Sequence, residues 1–182
     1  MSMITYIAIL RAINVSGKNV IKMTALKSAL EKSGYKKVTT YIQSGNIIFQ
    51  TSQQKEAIIA ADISNIIQEH FNLKVPVIVL TIGTLQSAID NNPFISHADV
   101  ETGNLHIVFL DAPPFNYSTE KIDSKKQDNE NYIIGENLVY LNIPKYGNSK
   151  LSNQLFETVL KVTATTRNWN TSNKMLSIAN QL

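Results

Sequence analysis

Residues 3–10 are almost continuously apolar and rich in β-branched and aromatic side chains, which predicts a buried strand. A polar loop follows over 11–22, with a small hairpin expected around Ser16-Gly17. Thr24 offers a hydroxyl to cap a helix whose inward face carries Leu26, Ala29 and Leu30, and Gly34 supplies a left-handed stop. Residues 38–42 and 47–50 predict two strands around the turn tetrad Gln43-Ser44-Gly45-Asn46. Over 54–71, Ile58, Ile59, Ile63, Ile66, Ile67 and Phe71 recur with the helical period, and 75–80 predicts a further strand. This β-α-β-β-α-β order is that of a ferredoxin-like unit.

The order then repeats. Residues 84–90 predict a short helix ended by Asn92-Pro93. A strand at 105–110, a short helix at 118–125, and a hairpin of 132–134 and 138–143 across Gly135-Glu136-Asn137 come next. A helix over 151–161 turns Leu155, Phe156, Val159 and Leu160 inward, and 162–166 predicts a short last strand. Asn168 caps a final helix carrying Trp169, Met175, Leu176 and Ala179. The expected class is α+β: two tandem ferredoxin-like halves, 1–82 and 104–182, joined by a helix and loop at 83–103. One shared core and two separate cores are both compatible with this order. It is a repeat of topology, not of residues.

Composition narrows the class. At 182 residues and 43% hydrophobic content there is material for a substantial core. Charged residues reach only 17%, below the roughly 25% of ordinary domains, and amides such as Asn91-Asn92 and Asn129-Glu130-Asn131 fill the gap. A net charge of +3 permits a polyanion partner without requiring one. The absence of cysteine excludes disulfides and thiolate chemistry. No apolar run approaches the roughly 18 residues of a membrane span. The first ten residues lack the basic region and cleavage site of a signal peptide, so a cytoplasmic setting is expected.

The 11–22 loop is the most suggestive segment. Ala12-Ile13-Asn14-Val15-Ser16-Gly17-Lys18-Asn19 nearly spells a phosphate-cradling loop after a buried strand. Ala12 stands where the first glycine is needed, Asn19 replaces the metal-holding hydroxyl, and the helix starts too late. The nucleoside-triphosphatase reading therefore fails, although Asp111 ends an apolar strand as a metal-holding acid would. A simpler expectation survives: Arg11, Lys18 and Lys22 surround exposed backbone N–H groups and make an anion site. The alternative is that Asn14 and Asn19 satisfy local backbone groups while the lysines are solvated.

Other constellations carry less. His70, His97 and His106 lack paired metal-ligand spacing, and no metal or cofactor is expected. Ser44 and Ser149 lack the flanking glycines of a nucleophile elbow, and Ser149-Lys150 are adjacent, so they do not face each other on a helix. Thr165-Thr166-Arg167-Asn168-Trp169-Asn170-Thr171 sets polar groups around the one tryptophan, fit either to stack on a planar ligand or to serve as anchor and cap.

Taken together, Arg11-Ala12-Ile13-Asn14-Val15-Ser16-Gly17-Lys18-Asn19, Ile21-Lys22-Met23 and Thr40-Tyr41-Ile42-Gln43-Ser44-Gly45-Asn46 resemble the bacterial family called domain of unknown function 1697. Ser149-Lys150-Leu151 and the 165–171 segment resemble its closing motif. The family's pattern reads Arg-Gly-Ile-Asn-Val-Gly-Gly-Lys-Asn, where this chain has Ala12 and Ser16. The resemblance implies a compact α+β fold in a bacterial cytoplasm and no particular activity.

The motif residues are polar and fall in loops: Arg11, Asn14, Lys18, Asn19, Gln43, Ser44, Asn46, Lys150, Arg167 and Asn168. The expectation is that their loops meet at one site for a small anionic or phosphate-bearing ligand. Arg11, Lys18 and Arg167 would supply charge, while Gln43, Asn46 and Asn168 orient the ligand. Two other classes stand beside it: nucleic-acid binding on a sheet face through Tyr41 and Phe49, and a protein-interaction module without chemistry.

Overall fold

A computed structural model describes residues 2–95 and 101–182; His97 lies outside them. The described residues divide into two compact units, Met1–Gln86 with Lys174–Leu182, and Ser87–Asn173. No described helix is long and apolar enough to cross a membrane.

In the first unit β1 (Ile4–Leu10), α1 (Met23–Lys32), β2 (Lys36–Tyr41), β3 (Asn46–Thr51), α2 (Glu56–Phe71) and β4 (Val77–Thr81) follow the expected order. The sheet runs β2-β3-β1-β4 with every neighbour antiparallel, a ferredoxin-like arrangement. Tyr6, Ala8 and Leu10 project from one face of β1 into a core with Leu26, Leu30, Phe49, Ile63 and Ile67. Phe49 stacks on Tyr6 and meets Tyr35 edge-on at 5.0 Å. Ile7, Ile9 and Ile48, on the opposite face, are also fully buried. That explains why β1 is a continuous apolar run and does not alternate.

The second unit repeats the plan. α3 (Ile82–Asp90) spans the division between the units. Then come β5 (Leu105–Leu110), α4 (Glu120–Asp123), β6 (Asn131–Ile134), β7 (Leu138–Asn142), α5 (Asn153–Leu160) and β8 (Ala164–Asn168). α6 (Trp169–Ala179) ends the element order. The sheet order is β6-β7-β5-β8, again wholly antiparallel. Val108, Leu110, Val139, Leu141, Leu155 and Phe156 form its core. The fold is α+β with two ferredoxin-like halves.

Four expectations are corrected. Helix α1 starts at Met23 after Lys22, with no side-chain cap, so Thr24 lies inside the helix. Ile58 is exposed, because its position rotates off the buried Ile59-Ile63-Ile66-Ile67 stripe. β2 ends at Tyr41, since Ile42 turns to a φ of +51°. Phe49 is fully buried and offers no face to a base. Gly34 does end α1 as expected: at φ +102° its N–H donates to the Glu31 carbonyl and that of Tyr35 to the Leu30 carbonyl. Asn168 likewise caps α6, its Oδ1 accepting from the Thr171 N–H at 2.8 Å.

Gly45 is the most closely packed glycine of the first unit. At φ +80° a Cβ there would stand 2.7 Å from Leu10 Cβ and 2.8 Å from Ile13 Cδ1. Gly17 shares the left-handed backbone at φ +74° but faces open space. Gly45→Ala is therefore expected to destabilise by about 2–4 kcal/mol, from backbone strain plus overpacking, and Gly17→Ala by about 1 kcal/mol. Urea unfolding of the two variants checks this, and equal losses would contradict the packing argument.

Candidate functional site

The 11–22 loop leaves the sheet between two fixed points. The Leu10 N–H donates to the Gly45 carbonyl and that of Arg11 to the Pro76 carbonyl, which carries both ladders one step past β1. Ile13 and Ile21 then sink into the core, each 1% exposed. Between them the chain folds back: Asn14 N–H donates to the Asn19 carbonyl, and Lys18 N–H to that of Val15 at 2.9 Å. Ser16 and Gly17 both have positive φ at the tip, as a two-residue primed hairpin turn requires. This is the small hairpin expected from Ser16-Gly17.

The amides hold this shape. Asn14 Oδ1 accepts from the Ile21 N–H at 2.9 Å, and its Nδ2 donates to the Ile21 carbonyl at 3.1 Å and the Gln43 carbonyl at 2.8 Å. Asn19 Nδ2 donates to the Ala12 carbonyl at 2.9 Å. In the neighbouring turn Asn46, fully buried, donates to the Tyr41 carbonyl and Ser44 Oγ. Asn14 and Asn19 thus brace the backbone of the loop, and Asn46 braces the turn that follows β2. Arg11, half-buried, and the exposed Lys18, Lys22 and Gln43 surround this frame.

Backbone strain concentrates here. Among the described residues nine non-glycines have positive φ, and five of them, Ala12, Asn14, Ser16, Asn19 and Ile42, belong to this loop and turn. Asparagine tolerates that region; alanine and a β-branched isoleucine do so only when their surroundings enforce it. The Asn14 and Asn19 hydrogen bonds are what hold these positions in place.

The candidates of the second unit have their own surroundings. Arg167, 7% exposed, lies on β8 opposite Ile107, and its Nη1 donates to Thr165 Oγ1 at 3.0 Å and the Thr166 carbonyl at 2.8 Å. Burial pulls its guanidinium down to about 10, against the opposite pull of Tyr146, so it stays charged at neutral pH. Asn168 is engaged as the cap of α6, and Lys150 is exposed. His106 stacks on Tyr146 at 4.4 Å, and burial lowers its pKa despite the Asn104 carbonyl at Nδ1. No cluster of three metal-binding side chains occurs among the described residues. The structure therefore joins the first loop to the Gln43 turn, and sets Lys150, Arg167 and Asn168 in the other unit.

A family described as Protein of unknown function (DUF1697) matches residues 3–140, most of the chain. The chain belongs to the DUF1697 family. The matched span holds both motifs of the first unit and ends before Ser149 and the 165–171 segment. A conserved bacterial protein, SP0830 from Streptococcus pneumoniae, is 22% identical over 98% of this chain and 99% of its own, with a TM-score of 0.69. At that identity the likeness is one of fold. No curated protein matches significantly.

The loop geometry explains the glycine pattern of DUF1697. Ala12 and Ser16 occupy two of the pattern's glycine positions, and their φ values are +55° and +50°. Glycine suits those positions because the backbone is left-handed there.

One charge signal escapes a reading of motifs alone. Residues 1–55 contain Arg11, Lys18, Lys22, Lys27, Lys32, Lys36, Lys37 and Lys55 against a single acid, Glu31, a net of +7, while the remainder carries −4. The overall +3 hides this, and Glu31 faces Lys27 at 3.8 Å.

Ala12→Gly and Ser16→Gly are each expected to raise unfolding free energy by about 0.5–1 kcal/mol, relief of left-handed strain exceeding the glycine entropy cost. Asn14→Ala is expected to lower it by about 2–4 kcal/mol, since three backbone bonds lose their partner. Chemical denaturation of the three variants measures both signs; a destabilising glycine at position 12 would contradict the strain argument.

Proposed function

We propose that, in the bacterial cytoplasm, the first unit binds a phosphate-bearing anion on the surface formed by the 11–22 loop and the 42–45 turn. The observation that supports it best is the net +7 of residues 1–55, with Arg11, Lys18 and Lys22 set on a loop that its own amides hold rigid. A pre-formed loop loses little entropy on binding, and lysine and arginine are the natural partners of phosphate oxygens. Lys18 and Lys22 supply exposed charge, Arg11 charge at the loop's base, and Gln43 an exposed amide to orient the ligand. Lys27, Lys32, Lys36 and Lys37 extend the positive field along α1 and β2, which raises association rates for anions. Asn14, Asn19 and Asn46 shape the surface and do not meet the ligand.

A second reading has one observation of its own. Val15 is 55% exposed, Val20 66% and Ile42 47%, so apolar side chains stand on the same loop and turn. An exposed apolar group bordered by lysines suits a protein partner with an acidic, partly apolar segment.

Fluorescence anisotropy with a labelled single-stranded oligonucleotide, competed by inorganic phosphate, a nucleoside monophosphate and an acidic peptide, tests both. Binding is expected to weaken at least tenfold in the Lys18→Ala, Lys22→Ala double variant. If the ligand is a nucleic acid, log K is expected to fall with log salt at about −0.7 per phosphate contacted. Competition by the mononucleotide as strong as by the oligonucleotide identifies a small phosphate ester. Binding of the peptide alone overturns the phosphate reading in favour of the second.

A further inference from the structure

A second, independent site lies in the other unit, between the residues before β6 and the turn after β7. Residues 127–130 form a tight turn in which the Glu130 N–H donates to the Gln127 carbonyl. The Glu130 carboxylate folds back so that Oε2 accepts from the Gln127 N–H at 3.0 Å. Lys126 Nζ donates to the Glu130 carbonyl, 3.1 Å away, and not to the carboxylate. Across from this turn, Pro144 and Lys145 lead into the short 3₁₀ helix Tyr146–Asn148, closed by the Asn148 N–H on the Lys145 carbonyl. The Tyr146 ring, stacked on His106, fixes that wall. Gln127, Asn129, Glu130, Pro144, Lys145 and Asn148 line a solvent-open pocket of about 240 Å³.

Two features of this cavity ask for a ligand. Glu130 is 3% exposed, yet among the described residues no cation stands within ion-pair distance of its carboxylate, and one backbone N–H is its hydrogen-bond partner. The carboxylate keeps acceptor capacity and charge for a cation that enters from the cavity side. Lys145 lines the same cavity without pairing with that carboxylate. An acid and a base thus line one small pocket without pairing with each other, together with Gln127, Asn129 and Asn148.

We propose that this cavity binds a small zwitterion of the α-amino-acid class. The ligand's ammonium meets the Glu130 carboxylate, its carboxylate meets the Lys145 ammonium, and Gln127, Asn129 and Asn148 hydrogen-bond the remainder. Lys145 disfavours a bare metal ion by like-charge repulsion, and one carboxylate is too few hard ligands for calcium. The volume, below the roughly 300 Å³ at which pockets for drug-sized ligands begin, suits a ligand of amino-acid size. This site shares no residue with the basic surface of the first unit.

Isothermal titration calorimetry of the full chain with the common L-amino acids, and with the N-acetyl and carboxamide derivatives of any that bind, tests the proposal. Calcium chloride serves as the metal arm. At least one free amino acid is expected to bind with Kd below about 1 mM, equivalent to roughly −4 kcal/mol. Removing either charge of the ligand is expected to weaken binding at least tenfold. Glu130→Gln keeps an acceptor for the Gln127 N–H and is expected to abolish binding; Lys145→Met, an exposed change, is expected to weaken it at least tenfold. Lys18→Ala, Lys22→Ala is expected to leave it unchanged, which separates this site from the phosphate surface. Failure of every free amino acid to bind, binding indifferent to Lys145→Met, or binding of calcium alone would overturn the proposal.

Discussion

The side-chain amide of Asn14 closes the 11–22 loop on itself and on the neighbouring turn, and the arrangement of the first unit's polar surface depends on that closure. Its oxygen takes the Ile21 N–H, while its nitrogen serves the Ile21 and Gln43 carbonyls. Two hydrophobic anchors, Ile13 and Ile21, fix the ends of the excursion, and Gly45 lets the turn pass within contact of Leu10 and Ile13. With both ends anchored, the residues between can be short, polar and left-handed without becoming loose. Lys18 and Lys22 are thereby presented on a fixed frame, at a cost in backbone strain that Ala12, Ser16 and Ile42 record.

The two halves use one topology for different surfaces. The first carries eight basic residues and one acid up to residue 55, concentrated on the loop, α1 and β2. The second is amide-rich and mildly acidic around 127–130, and there a buried carboxylate and a lysine share a small cavity. A shared topology therefore does not impose a shared surface.

Both ferredoxin-like halves could be read from the chain because their strands are apolar runs separated by strong punctuation. Gly34 stops α1, the Ser16-Gly17 pair turns the hairpin, and Asn168 caps α6 through short-range chemistry that a sequence carries directly. Long-range constraints were less visible. Thr24 has the right hydroxyl for a cap, but the helix starts two residues earlier, with Met23 buried in the core as its first residue. Phe49 is an aromatic on a central strand, where a base could stack, yet the edge of Tyr35 and the face of Tyr6 enclose it. The motif asparagines are polar and lie in or beside loops, as ligand donors would, and the fold also uses their amide nitrogens to brace its own backbone. Glu130 sits in an amide-rich, polar stretch of sequence, and only the fold shows that the residue is buried.

Amide hydrogen exchange of the Ile21 N–H tests the central claim, a loop locked by the Asn14 side chain, most directly. The account predicts that this amide exchanges as slowly as the ladder amides of β1 and speeds up by orders of magnitude in Asn14→Ala, while those of β1 keep their protection. Exchange of Ile21 in the unaltered protein as fast as that of Ser16 and Gly17 at the hairpin tip would show a mobile loop and contradict it.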